Sequence, residues 1–126
     1  MADALGLPFV YIRNKPKDHG LENLIEGELP QGAKVVVVGD LISTGGSSLK
    51  AVEAVRKSGS EVIGMVASYT YGFPVAQQAF DEAGVTLITL TDYEHVVAQA
   101  LETGYIAESD VALLNEWRKD PANWQK

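Results

Sequence analysis

Residues 35–48 read VVVVGDLISTGGSS. The apolar run at residues 34–38 reads as a strand. Its β-branched residues do not alternate with polar ones, which implies burial on both faces, as in a parallel sheet. A Gly-Asp pair, two apolar residues and a turn of small, hydroxylated residues follow before a helical pattern begins. Residues 43–48 therefore leave a buried strand and open a helix. The first N–H groups of a helix have no intrahelical partner, and the helix dipole is positive at that end. Small side chains let a phosphate approach this backbone, and Ser43, Thr44, Ser47 and Ser48 add hydroxyl donors, which makes a phosphate cradle. The loop lacks the spacing of a Walker A motif, no lysine follows its glycines, and it is not GxGxxG. Asp40 stands just ahead of the cradle and would repel a phosphate unless it meets another part of the ligand. An ionised acid only accepts hydrogen bonds, so sugar hydroxyls suit it. A ribose 5-phosphate satisfies both features. The alternative is that Asp40 and the serines cap a helix and nothing more.

Outward from this stretch, apolar runs alternate with amphipathic ones. Residues 47–58 form a helical pattern with Leu49, Val52 and Val55 on one face, and Lys50, Glu53, Arg56 and Lys57 turned to water. Gly59 is a natural stop. A strand is expected at 62–68, a helix at 74–83 opened by Pro74 and closed by Gly84, and a strand at 85–89. Thr91 and Glu94 have capping-box spacing for a helix through Leu101, and a last helix covers 108–119, ended by Pro121. Upstream, residues 9–12 read as a short strand. Residues 13–32 form a long polar excursion with a hairpin around 23–28, and loops of that length are usually functional or disordered. Residues 1–8 look like a short helix capped by Gly6, as if the chain began inside a βαβ unit. The alternation predicts a single α/β domain over 1–126 with a parallel sheet, whose ligands bind at the carboxyl ends of the strands.

Composition narrows the chemistry. The 126 residues are 46% hydrophobic, with a net charge of −7, which argues against nucleic acid as partner. There is no cysteine, so disulfide and thiolate chemistry are excluded. The two histidines, His19 and His95, are far apart and form no metal-ligand spacing. No apolar run is long enough to span a bilayer and no signal peptide is visible, which predicts a soluble, cytoplasmic protein without a membrane partner. Arg13, Lys15, Lys17 and His19 crowd alternate positions and invite an anion, or form an ordinary solvated loop. Tyr69, Tyr71 and Phe73 either line a base pocket or pack at the end of the sheet. Trp117 and Trp124 read as packing residues, and His95 as an exposed helix residue without a role.

VVVVGDLISTGGSS resembles the phosphoribosyl pyrophosphate (PRPP) motif of type I phosphoribosyltransferases, an apolar strand, two acids, two apolar residues and a small Thr/Ser-Gly loop. RNKPKDHG, residues 13–20, resembles the flexible catalytic loop of orotate phosphoribosyltransferases, and the two motifs stand in the family's order and separation. The tail, from SYTYGFP at 68–74 to NEWRKDP at 115–121, is similar as well. The resemblance implies a Rossmann-like core, a parallel sheet flanked by helices and N-terminally truncated, with 13–32 as a mobile catalytic loop or hairpin. It implies that PRPP is bound by Arg13, Lys17, His19, Asp40, Leu41, Ile42, Ser43, Thr44, Gly45, Gly46 and Ser47, with Ser43 also contacting orotate. Asp40 would hold ribose hydroxyls and face the oxocarbenium charge. Lys17, His19 and Arg13 would close over the pyrophosphate, from the neighbouring subunit of a homodimer. Lys15 has a less definite place, and Asn14 stands where some members carry a lysine. His19 would act as a cation or as a proton donor. Asp40, Lys17 and His19 form the expected catalytic set. Mg²⁺ would be held through PRPP rather than by protein ligands. The implied reaction converts orotate and PRPP to orotidine 5′-phosphate and pyrophosphate, in pyrimidine biosynthesis.

Two departures qualify this. Gly39 stands where the family has an acid, and losing a charge-assisted contact costs about 1.5–3 kcal/mol, so weaker PRPP binding is expected. The amino-terminal half of the family pattern is absent, with a central strand that lies between residues 9–12 and 35–38. Either strand 9–12 pairs unusually or the chain self-associates through an open edge. The alternative function is a catalytically impaired or inactive PRPP- or nucleotide-binding fragment of the same fold.

Overall fold

A computed structural model describes residues 1–14 and 24–124. A short helix, α1 (Ala2–Leu5), ends at Gly6 in the left-handed conformation. Strands β1 (Tyr11–Ile12) and β2 (Ile25–Glu26) pair antiparallel, with Tyr11 opposite Glu26 and Ile12 opposite Ile25. Strand β1 therefore does not enter the main sheet but pairs with Ile25–Glu26, inside the polar excursion. Residues 15–23, which include Lys15, Lys17 and His19, lie outside the described residues.

The main sheet contains β3 (Lys34–Val38), β4 (Leu41–Ile42), β5 (Glu61–Thr70) and β6 (Leu87–Asp92), all parallel. β5 is the centre. β3 and then β4 run along one of its edges, and β6 along the other. Helices α2 (Gly46–Lys57) and α3 (Pro74–Ala83) cover one face. Their Val52, Ala76 and Phe80 join Val37, Ile42, Met65, Ala67 and Val85 in one core cluster. The helical periodicity is realised: Val52 and Val55 are fully buried, while Lys50, Glu53, Arg56 and Lys57 are exposed. α4 (Tyr93–Glu102) and α5 (Glu108–Lys119) follow, with a 3₁₀ turn at Pro121–Asn123.

Two expectations need correction. The valine run is not buried on both faces, for Val36 is 48% and Val38 56% exposed. Successive side chains of a strand point to opposite faces. α2 and α3 cover only the face of Val35 and Val37, and across the sheet Ile88 and Leu90 are exposed too. The start of α4 is also displaced by one residue. Thr91 stays in β6 opposite Tyr69, and Asp92 is the N-cap, accepting the His95 N–H at 2.9 Å. His95 therefore has a partner: its Nδ1 lies 2.7 Å from the Asp92 carboxylate.

Candidate functional site: the turn between the sheet and α2

The segment from β3 to α2 stays on one edge of β5. Val38 lies opposite Val66 and Leu41 opposite Tyr69, so the register is the same on both sides of Gly39 and Asp40. Between them the Gly39 N–H donates to the Val66 carbonyl at 2.8 Å. The Asp40 carbonyl accepts two donors, the N–H groups of Ser68 at 3.0 Å and Tyr69 at 3.1 Å. One acceptor serving two successive donors marks a distorted ladder, and the facing of the strand changes across it. Val37 and Ile42 are both in the core, although they are an odd number of residues apart and a straight strand would send them to opposite faces. The glycine before the acid has a packing reason as well. A Cβ at Gly39 would lie 2.6 Å from the Met65 Cε, in a side chain that is itself buried.

Beyond β4 the turn is bare. Ser43 and Thr44 are exposed, as are Asp40, Gly46 and Ser47. Gly45 is the N-cap of α2 with φ +88°, and a Cβ there would come within 3.1 Å of the Phe80 ring. Backbone conformation and the ring beneath it both select glycine. The first bond of the helix is Leu49 N–H to the Gly45 carbonyl, 2.9 Å, so the amides of Gly46, Ser47 and Ser48 precede it. No side chain caps this end, and no acid stands in the first turn. The positive end of α2 is thus left for an anion, with Asp40 upstream of it in the same exposed segment. Of the predicted binding stretch, Leu41 is half-exposed, whereas the Ile42 side chain is a core anchor and contributes only its backbone.

Arg13 is brought elsewhere. Its Nη1 donates to Glu26 Oε1 at 2.6 Å, across the β1–β2 pair. Lys17 and His19 are among the residues not described.

The neighbouring turn, between β5 and α3, is filled rather than bare. Tyr71 stacks on Phe73 with ring centroids 5.2 Å apart, and meets Tyr69 edge-on at 5.1 Å and Trp117 at 5.8 Å. Tyr93 joins the cluster and donates its hydroxyl to the Leu114 carbonyl at 2.9 Å. Burial raises the pKa of both the Tyr69 and the Tyr93 hydroxyl. These rings pack the turn against α4 and α5, so Tyr69 and Tyr71 are packing residues, while Phe73 packs on Tyr71 and also lines a cleft. Arg118 completes the cluster, with Nε donating to the Tyr71 carbonyl (3.1 Å) and Nη2 to the Gly72 carbonyl (3.2 Å). Nothing in the sequence singled it out. A cleft of about 290 Å³ lies beside this turn, lined by residues that include Thr70, Phe73, Gln77 and Thr89; Phe73 is the one base-pocket candidate that lines it, and none of the expected PRPP-binding residues does. Among the described residues no three His, Asp or Glu side chains gather as metal ligands, and no helix is long and apolar enough to cross a membrane.

The phosphoribosyl transferase domain family matches residues 1–103. Orotate phosphoribosyltransferase of Bacteroides fragilis is 74% identical over 125 residues, covering 99% of this chain and 59% of that protein. The protein of the same name from Porphyromonas gingivalis is 65% identical over 124 residues, again 59% of its length. The chain thus spans about three-fifths of the curated relatives it matches. Among solved structures, orotate phosphoribosyltransferase from Aeropyrum pernix superposes with a TM-score of 0.71 at 29% identity, covering 84% of this chain and 57% of that one. UMP synthase of Leishmania donovani, at 23% identity, shares the fold with a TM-score of 0.73 over 92% of this chain and 26% of its own. With a parallel sheet, an acid and a bare glycine turn opening α2, the chain belongs to the phosphoribosyl transferase domain family and has the type I phosphoribosyltransferase fold.

Proposed function

We propose that this chain carries the ribose-phosphate site of an orotate phosphoribosyltransferase. The reaction transfers the phosphoribosyl group of PRPP to orotate, giving orotidine 5′-phosphate and pyrophosphate. The observation that carries this reading is the exposed Asp40 ahead of the uncapped, acid-free start of α2, in a chain 74% identical to a curated orotate phosphoribosyltransferase.

In this reading the amides of Gly46 and Ser47 and the hydroxyls of Ser43, Thr44 and Ser47 receive the 5-phosphate. Asp40 accepts from the ribose hydroxyls and faces the positive charge that develops on the ribose as the pyrophosphate departs. That departing group gains negative charge, which Arg13, Lys17 and His19 stabilise best where water is excluded. Arg13 has to leave Glu26 to take part, so loop closure exchanges one carboxylate for a more highly charged anion. The Asp40 carboxylate and the ligand's own oxygens are donors that suit Mg²⁺, and in this reading the ion would be held chiefly through PRPP. When bound, Mg²⁺ neutralises charge on the pyrophosphate. The half-exposed valines of β3, and Ile88 and Leu90 beside them, support a homodimer or a larger assembly that covers this face. Soluble phosphorylated substrates fit a cytoplasmic setting.

Titration of the chain with PRPP and Mg²⁺, followed by an assay of orotidine 5′-phosphate formation, tests the reading. Saturable PRPP binding that is competed by ribose 5-phosphate is expected. Absence of such binding overturns the proposal, and binding without product confines the chain to recognition.

A further inference from the structure

Arg118 lies on α5, far along the chain from the turn between β5 and α3, yet two of its nitrogens are engaged there and the third reaches α4. Nε donates to the Tyr71 carbonyl at 3.1 Å and Nη2 to the Gly72 carbonyl at 3.2 Å, while Nη1 is 3.4 Å from Glu94. The guanidinium also lies 5.1 Å from the centre of the Tyr93 ring. The Glu94 side chain is 76% exposed, so this ion pair contributes little. The two carbonyl bonds and the ring are therefore the main interactions, and they use the planar fork that distinguishes arginine from lysine. The turn is shaped to the fork: Gly72 has φ +69°, and a Cβ there would sit 2.8 Å from Nη2.

Tyr71 is held at both of its backbone groups. Its carbonyl is bound by Arg118, and its N–H donates at 3.1 Å to the carbonyl of Ile42, the last residue of β4. Ser43, the first residue of the cradle, is bonded directly to Ile42. A continuous path of hydrogen bonds and one peptide bond thus runs from α5 through Tyr71 to the phosphate turn. We propose that Arg118 is a positioning residue for that turn: by fixing Tyr71 and Gly72 it fixes β4, and hence where residues 43–47 stand relative to Asp40. The inference deepens the ribose-phosphate reading and rests on it.

The full chain is compared with Arg118→Met and Arg118→Lys by amide hydrogen exchange, PRPP titration and urea unfolding. Losing a charge-assisted bond of this kind predicts, in Arg118→Met, about tenfold faster exchange of the Tyr71 amide and a PRPP dissociation constant about tenfold higher. The Met65 amide, which donates to Thr86 across β5 and β6, should exchange unchanged. Arg118→Lys, able to serve one carbonyl at a time, should fall between. Faster exchange at Tyr71 and Met65 together, with a lower unfolding midpoint, would reduce Arg118 to a general stabiliser and overturn the proposal. So would unaltered exchange at Tyr71, or unaltered PRPP affinity in Arg118→Met. Should the parent chain bind no PRPP, the ribose-phosphate reading fails together with Arg118's role toward a ligand. The exchange rates then report only whether the path from α5 to β4 exists.

Discussion

The turns after β4 and β5 leave the sheet side by side, Ile42 opposite Thr70, and are built in opposite ways. The first is small and capped by no side chain, with Ser43 and Thr44 exposed and Gly45 buried against the Phe80 ring. The second, at Tyr71, Gly72 and Phe73, is packed with rings and tied by Arg118. A turn whose amides are left without partners is not defined by them. Its conformation has to come from outside, and here it comes from Phe80 beneath Gly45 and from the Tyr71 N–H on Ile42. The filled turn is the support of the bare one.

The largest test of this division is Phe80→Ala. It removes the ring under Gly45 and opens a cavity in the core, and should cost about 3–5 kcal/mol in urea unfolding. A loss below about 1 kcal/mol, well under the range for such truncations, would mean the bare turn does not lean on α3. Next is Asp40→Asn, which touches only the bare side. PRPP affinity should fall about tenfold to a hundredfold, as for a lost charged hydrogen bond, while the unfolding midpoint stays put. Equal affinity would remove Asp40 from the site.

Gly39 sharpens the contrast from within the sheet. Gly39→Glu meets the Met65 methyl group and should destabilise by about 1–3 kcal/mol, the usual range for overpacking. Combined with Met65→Ala, the pair should be less harmful than the sum of the two, by about 0.5–3 kcal/mol in a double-mutant cycle. Additive effects would show that the methionine does not define the glycine. PRPP affinity of the double variant, set against Met65→Ala alone, then reports whether a second carboxylate beside Asp40 strengthens binding.

The smallest effect concerns α4, the helix that, unlike α2, is capped by a side chain. The Asp92 carboxylate is lowered in pKa chiefly by the His95 backbone N–H, and His95 is raised by its hydrogen bond to Asp92. The histidine contribution is complete below its unfolded value of about 6.5 and is lost as pH rises through the higher folded pKa. The Asp92 contribution is present above the unfolded carboxylate value of about 3.9 and is lost as pH falls through the depressed folded one. The thermal midpoint of the parent chain should therefore exceed that of His95→Gln most in mildly acid solution. The gap should narrow above neutrality, and a constant gap would refute the pairing.

Much of this was legible in the sequence where local chemistry decides. β3, α3 and α5 lie at the expected residues because a valine run, the Pro74 and Gly84 that bound α3, and the Pro121 that follows α5 act over a few positions. The small, uncapped turn that opens α2 was legible for the same reason. The sidedness of β3 was not, since a valine run is equally compatible with one covered face or two. Asp92 displaced Thr91 as cap because β6 continues in its ladder with β5 for longer than its apolar pattern suggests. Arg118 and Met65 were invisible, because each acts through a contact distant in the chain, on a carbonyl or on a missing Cβ, and neither leaves a motif. In the sequence Gly39 shows only as an absent acid, and its neighbour across the sheet gives it a steric reason as well.

The central place of β5 also bears on the order of folding. Among the described residues every other strand of the main sheet pairs with β5 and none with another, so none of these ladders can form before β5 arrives. Parallel pairing across α2 requires a loop closure before it returns any contact, which makes the β3–α2–β5 unit the natural nucleus. Substitutions in β5 at Ala67 should then slow folding, and those at the exposed Ile88 of β6 should act mainly by hastening unfolding. The site at Asp40, held by the Ser68 and Tyr69 amides, would take shape early, as part of the step that commits the chain to its native topology.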